Sequence, residues 1–120
     1  MVWLRLLISV KHNPLRFVCV LTTAPQLTSA RKLAGLLLEK KLAACVTLIP
    51  SVESHYFWKG KKEKSREVQL IIKTTQKKFK KIELFFKKNH PYEVPELIGF
   101  PVPLTSKNYS NWILSVLADD

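Results

Sequence analysis

A chain of 120 residues, 47% hydrophobic and 24% charged, has room for one globular domain and excludes a fibrous or disordered polymer. Twenty Lys+Arg against nine Asp+Glu give a formal charge of +11. That excess raises nucleic acid as a partner through counterion release, although a solvated lysine surface accounts for it more simply.

Residues 1–14 read as an N-terminal extension and 15–120 as a single domain. The opening Val2–Val10 is apolar but interrupted by Arg5, and it is far short of the roughly 20 residues of a membrane span. It also lacks the charged start and small-residue cleavage site of a secretory signal. Cys19 and Cys45 sit in apolar runs with no C-x-x-C or zinc spacing, so they read as free thiols in a reducing, cytoplasmic setting. His12 falls in the extension and is expected to be solvated.

Leu15 to Thr23 is apolar on both faces and predicts a buried central strand. Ala30, Leu33, Ala34, Leu37 and Leu38 then recur at helical spacing, with Thr23 or Thr28 as the candidate cap. Ala44 to Trp58 is strand-like with Pro50 inside it, which predicts an edge strand bent at that point. A polar turn over Lys59–Ser65 leads to an alternating strand from Glu67 to Thr74. A second helix is expected from Gln76 to Lys88, with Phe79, Ile82, Phe85 and Phe86 inward and six lysines in water, ended by Pro91. Glu96 to Val102 reads as a short strand. Ser106 caps a last helix whose face is Tyr109, Trp112, Ile113, Val116 and Leu117.

The order β-α-β-β-α-β-α is that of an α+β, ferredoxin-like split βαβ sandwich, a four-stranded antiparallel sheet with a long bent hairpin and one further helix. Right-handed crossovers put the first strand beside the third and the Pro50 strand at an edge. In that order Cys19 and Cys45 lie two strands apart, about 4.8 Å per strand, beyond disulfide reach.

A strand from Ala44 to Trp58 would run roughly 50 Å at about 3.3 Å per residue. A compact domain of this size is roughly 35 Å across. The hairpin therefore overshoots its core, and it carries Tyr56-Phe57-Trp58 at its end. Exposed rings on an overhanging edge call for a partner, and closed association of identical chains supplies one.

Several segments, taken together and in order, resemble the CutA (divalent-cation tolerance) family. They are Lys41-Leu42-Ala43-Ala44-Cys45-Val46 leading to Ile49-Pro50, Tyr56-Phe57-Trp58-Lys59-Gly60-Lys61, Glu67-Val68, Ile71-Ile72-Lys73-Thr74, His90-Pro91-Tyr92-Glu93-Val94-Pro95-Glu96 and Tyr109-x-x-Trp112. The set spans roughly Phe17 to Leu117. The resemblance implies a ferredoxin-like subunit of a homotrimer whose long hairpins pair between neighbours, linked to tolerance of copper and other divalent cations. Tyr56, Trp58 and Trp112 are then expected to shape the surface between subunits.

Copper asks for thiolate, thioether or imidazole ligands. Copper-binding members of the family carry a Cys after the first strand and two adjacent histidines before the Pro-Tyr pair. Here those positions hold Thr22, Asn89 and His90. His90, with Glu93 beside it, is the metal candidate that survives, and weak binding of copper or another divalent cation is the expectation. His90 equally suits a helix-ending role with its ring bonded to the backbone. His55, near the hairpin tip, could line a cleft between subunits or face water. The same residues exclude most enzymes, since no G-x-S-x-G, Gly-rich phosphate loop or H-E-x-x-H is present. The alternative is an RNA-binding module of the same strand order. Its third strand would need aromatic rings for stacking, and Glu67–Lys73 has none.

Overall fold

The computed structural model describes residues 16–118, so the expected extension at 1–14 and His12 lie outside the described residues. In chain order it runs β1 (Phe17–Ala24), α1 (Leu27–Glu39), β2 (Cys45–Trp58), β3 (Lys61–Thr75), α2 (Gln76–Asn89), β4 (Ile98–Pro101) and α3 (Lys107–Leu117). The strands form one sheet in the order β2-β3-β1-β4, every neighbouring pair antiparallel. This is the ferredoxin-like split βαβ fold with an added C-terminal helix.

Alternation along the central strands builds the core. Val18, Val20, Thr22 and Ala24 of β1 stand opposite Thr74, Ile72, Leu70 and Val68 of β3, and all eight are buried. They meet Ala30, Leu33 and Leu37 of α1 and Ile82, Phe85 and Phe86 of α2. Full burial of each large apolar side chain contributes about 1.5–3 kcal/mol. The polar members are satisfied as well, since the Thr74 hydroxyl donates to the Leu42 carbonyl at 2.7 Å. A smaller core lies on the side of β1 opposite Val18, where α3 seats Ile113 and Leu117 against Phe17 and Ala44.

Several boundaries differ from the sequence reading, each for a local reason. The cap of α1 is Gln26, not Thr23 or Thr28: the Gln26 N–H donates to Ser29 Oγ at 3.2 Å, while Thr23 stays in β1 and Thr28 falls within the helix. The turn shrinks to Lys59-Gly60, both at positive φ (50° and 79°), the backbone a two-residue hairpin demands. The lysine-rich run after it, with poor strand propensity, is held extended by its ladder to β2, from Trp58↔Lys61 through Glu53↔Arg66. β4 is trimmed to Ile98–Pro101. On α2 five of the six lysines are exposed, but Lys78 is half-buried. Tyr109 and Trp112 of α3 are exposed and stack on each other, centroids 5.5 Å apart, while Ile113 and Leu117 do the packing.

Pro50 does mark a bulge. The ladder runs from Ile49↔Gln69 to Val52↔Glu67, so Pro50 and Ser51 together face one residue, Val68, and Ser51 takes φ 60°. Beyond it the ribbon overhangs. The radius of gyration is 16.2 Å and the longest extent 48 Å, against about 13 Å for a compact chain of about 100 residues. Phe57 at the tip is 71% exposed. Cys19 and Cys45 are free thiols and flank Lys73 from the two neighbouring strands. Among the described residues no helix is long and apolar enough to cross a membrane.

Candidate functional site

Helix α2 stops because the residue before Pro91 is pushed out of the helical region, and His90 accordingly takes φ −78°, ψ 137°. That bend turns the imidazole onto β1. The His90 Nδ1 accepts the Tyr92 backbone N–H at 3.1 Å, and Nε2 lies 3.1 Å from Oγ1 of the buried Thr22. A backbone amide only donates, so Nδ1 carries the lone pair and Nε2 the proton. The ring also packs edge-on to Phe86, 4.9 Å between centroids. Burial lowers the His90 pKa below the ordinary imidazole value, against the opposing pull of the Thr23 backbone and the Glu67 charge.

Two more bonds tie the same segment to the sheet. The Tyr92 hydroxyl donates to Glu67 Oε2 at 2.6 Å. Gln69 Nε2 donates to the Thr22 carbonyl at 2.7 Å and to Glu96 Oε2 at 3.0 Å. Burial, and then the bond to Glu67, push the Tyr92 phenol well above its usual range, so it stays a donor. Residues 90–96 are thus pinned at three points to the place where β3 leaves the body of the sheet.

Between that pinned segment and the overhanging part of the hairpin opens a cleft of about 610 Å³, within the size range of small-molecule sites. Ser54, His55, Tyr56 and Trp58 form the hairpin wall, Thr23 and Glu67 come from the sheet, and Tyr92, Glu93, Val94 and Glu96 form the opposite wall. Tyr56 reaches across its own ribbon to Ser65 Oγ at 3.3 Å. His55 lies 2.8 Å from Glu53, both well exposed.

The structure thus brings Thr22 and His90 into contact and sets Tyr56, Trp58 and Glu93 around one cleft. It does not bring Asn89 or Trp112 to them. Asn89 turns its amide back to the Phe85 carbonyl at 3.0 Å, and Trp112 lies on α3. Glu67, Gln69 and Tyr92 were missed as site residues. A glutamate abutting the apolar Val68 and Leu70 opposite a proline bulge was the available signal for Glu67, because the bulge opens space on the neighbouring strand.

These residues do not fit a copper ion. Thr22 offers a hydroxyl and Asn89 an amide already bonded to the backbone, neither a soft ligand. His90 has one ring nitrogen protonated and the other occupied by the Tyr92 amide, so ligation would break a bond. Among the described residues no three His, Cys, Asp or Glu side chains converge closely enough to hold a metal. What the arrangement offers is a rigid, acidic and aromatic wall.

Comparison with known proteins follows the same outline. The family profile described as CutA1 divalent ion tolerance protein matches residues 18–116. A Yersinia pestis (strain Pestoides F) protein named divalent-cation tolerance protein CutA is 44% identical over 96 residues, 80% of this chain and 81% of its own. CutA1 from Oryza sativa superposes with a TM-score of 0.84 at 34% identity, over 89% of this chain and 98% of that one. An Archaeoglobus fulgidus structure described as a periplasmic divalent cation tolerance protein CutA gives 0.82 at 35% identity, over 85% and 99%. With the profile matched from Val18 to Val116 and relatives of this identity along most of their length, the chain belongs to the CutA1 divalent ion tolerance family.

Proposed function

We propose that this chain is one subunit of a homotrimer that serves divalent-cation tolerance as a binding or signalling scaffold, without a reaction of its own. The observation that carries the reading is the overhanging ribbon. Residues 53–64 of β2 and β3 are almost entirely exposed, the outer edge of β2 has no neighbour in the sheet among the described residues, and Phe57 stands in water. A long free edge bearing aromatic rings is a pairing surface, and identical chains close such edges cyclically. The sheet face that includes Leu21, Ile49, Ile98 and Phe100 adds further apolar area, the last three exposed. The family likeness favours three copies, with Tyr56, Trp58 and Trp112 between them. The free thiols of Cys19 and Cys45 suit a cytoplasmic setting.

Light scattering after size exclusion tests this directly. A mass near three times 13.9 kDa is the expected result, and Phe57→Lys on the exposed ribbon shifts it toward the monomer. A well-folded monomer or dimer at micromolar concentration overturns the reading.

Copper at the Thr22–Asn89–His90 position is weak in this reading, because the imidazole is already committed on both sides. A calorimetric titration is expected to give no submicromolar Cu(II) binding. One tight ion per chain, lost in His90→Ala, reverses that conclusion.

A further inference from the structure

We propose that the outer face of the layer formed by α1 and α2 docks on an anionic phospholipid surface. Of the charged side chains on these two helices, eight are basic and only Glu39 and Glu83 are acidic. On α2, Lys77, Lys81, Leu84 and Lys88 follow one another at spacings of four, three and four residues. Helical geometry puts them on one stripe roughly 16 Å long. All four are exposed, and so are Lys80 and Lys87 beside the stripe.

Little of that charge is neutralised within the chain. Lys80 holds Glu83 at 3.0 Å, and that bond, then the Lys80 and Lys87 charges, keep the Glu83 carboxyl below its ordinary value. Among the described residues no acidic side chain pairs with Lys77, Lys81, Lys87 or Lys88. Helix α1 packs on the same side of the sheet as α2, and it extends the field with the exposed Arg31 and Lys32. The sheet face and the ribbon assigned above to contact between copies lie elsewhere, so assembly through them leaves this face open.

Two leucines set the class of partner. Leu84 is 52% exposed in the middle of the lysine stripe, and Leu38 is 46% exposed on α1. A surface that only has to stay hydrated gains nothing from leucines among its lysines. A nucleic-acid duplex would meet the lysines with phosphates, but it offers the leucines no apolar ground. Nor does an aromatic ring for stacking on bases stand among the exposed side chains of either helix. A phospholipid surface supplies both contacts. Its phosphates lie level with the ammonium groups, and its acyl chains lie just beneath, within reach of leucine while the lysine stems snorkel. Such docking is peripheral, and its strength follows the number of lysines engaged.

Co-sedimentation of the full-length protein with vesicles in about 0.1 M salt tests the idea. One set of vesicles is phosphatidylcholine alone, and the other includes about 30% phosphatidylglycerol. Binding to the anionic set is expected to be tighter by about tenfold or more. The exposed pair Lys81→Gln/Lys88→Gln weakens it by about tenfold, and Leu84→Gln, which alters no charge, by about threefold. Lys107→Gln, on α3 across the sheet, changes it by less than about twofold. Equal binding to the two vesicle sets, indifference to the lysine pair, or indifference to Leu84→Gln each overturn the proposal. Tighter binding to a short DNA duplex under the same conditions does so too, and makes nucleic acid the partner. Light scattering on the same samples reports the oligomeric state separately, so this inference and the trimeric reading fail independently.

Discussion

The Tyr92 hydroxyl reaches Glu67 Oε2 over 2.6 Å, and through that one bond the loop after α2 grips β3 just before it becomes the overhanging ribbon. Glu67 stands opposite Val52, the first β2 residue beyond the bulge. The bulge bends the ribbon, and the tyrosine fixes the strand that the bend departs from.

Replacing Tyr92 with Phe removes the donor and leaves a carboxylate buried without it. Leaving such a group unsatisfied costs about 1–3 kcal/mol, read from the midpoint of urea unfolding. Glu67→Gln is expected to cost less, because its amide oxygen still accepts from the phenol. A Tyr92→Phe chain as stable as the parent would show that the loop is held by His90 and Gln69 alone.

His90 carries a pH dependence whose sign follows from its bonds. Burial lowers its folded-state pKa below the ordinary 6.5, so the unfolded chain binds the extra proton first and stability falls as pH drops from about 6.5 downward. Above that value its contribution is fully present. Protonating Nδ1 forfeits the Tyr92 N–H bond. His90→Asn is expected to be less stable than the parent at pH 8, with the difference shrinking by pH 5. A difference constant from pH 8 to pH 5 would refute the neutral tautomer assigned to His90.

Where burial and alternation agree, the sequence carried the fold: Val18, Val20, Leu70 and Ile72 announced two central strands, and Pro50 announced the bulge on an edge. The first half of β3 was not legible, because Lys61, Lys62, Glu63 and Lys64 are extended only through pairing with β2, a non-local cause. The site was half legible. His90 and Glu93 drew attention by their chemistry, whereas the partners of the knot, Glu67 and Gln69, come from a strand 20-odd residues earlier and meet the loop only in three dimensions. Thr22 was noted for what it lacks as a metal ligand, and its actual role is to hold the imidazole.

Gly99 is required by a neighbour rather than by its backbone angles. A Cβ there would lie 2.8 Å from Cε1 of Phe79, tighter than packed carbons allow, where α2 crosses β4. Gly99→Ala is expected to lower stability by about 1–3 kcal/mol, the usual cost of overpacking. Phe79→Leu in the same chain should return part of it, since the shorter side chain vacates the contested space. If the double variant is worse than the sum of the two singles, the contact is not the cause.

Ser51 offers the converse test, on strain stored in the bulge. Its φ of 60° lies in the left-handed region, where a side chain costs energy that glycine does not pay. Ser51→Gly is therefore expected to hold or raise the thermal midpoint, while Ser51→Val, β-branched and least tolerant of positive φ, lowers it. The valine variant has a second consequence, because the bend sets the direction of the ribbon that carries Tyr56, Phe57 and Trp58. On the trimeric reading proposed above, its light-scattering mass should fall toward the monomer at concentrations where the glycine variant keeps a mass near three times 13.9 kDa. A valine variant with the stability and the light-scattering mass of the parent would mean that the bulge tolerates ordinary backbone angles, and that the ribbon's course is set elsewhere.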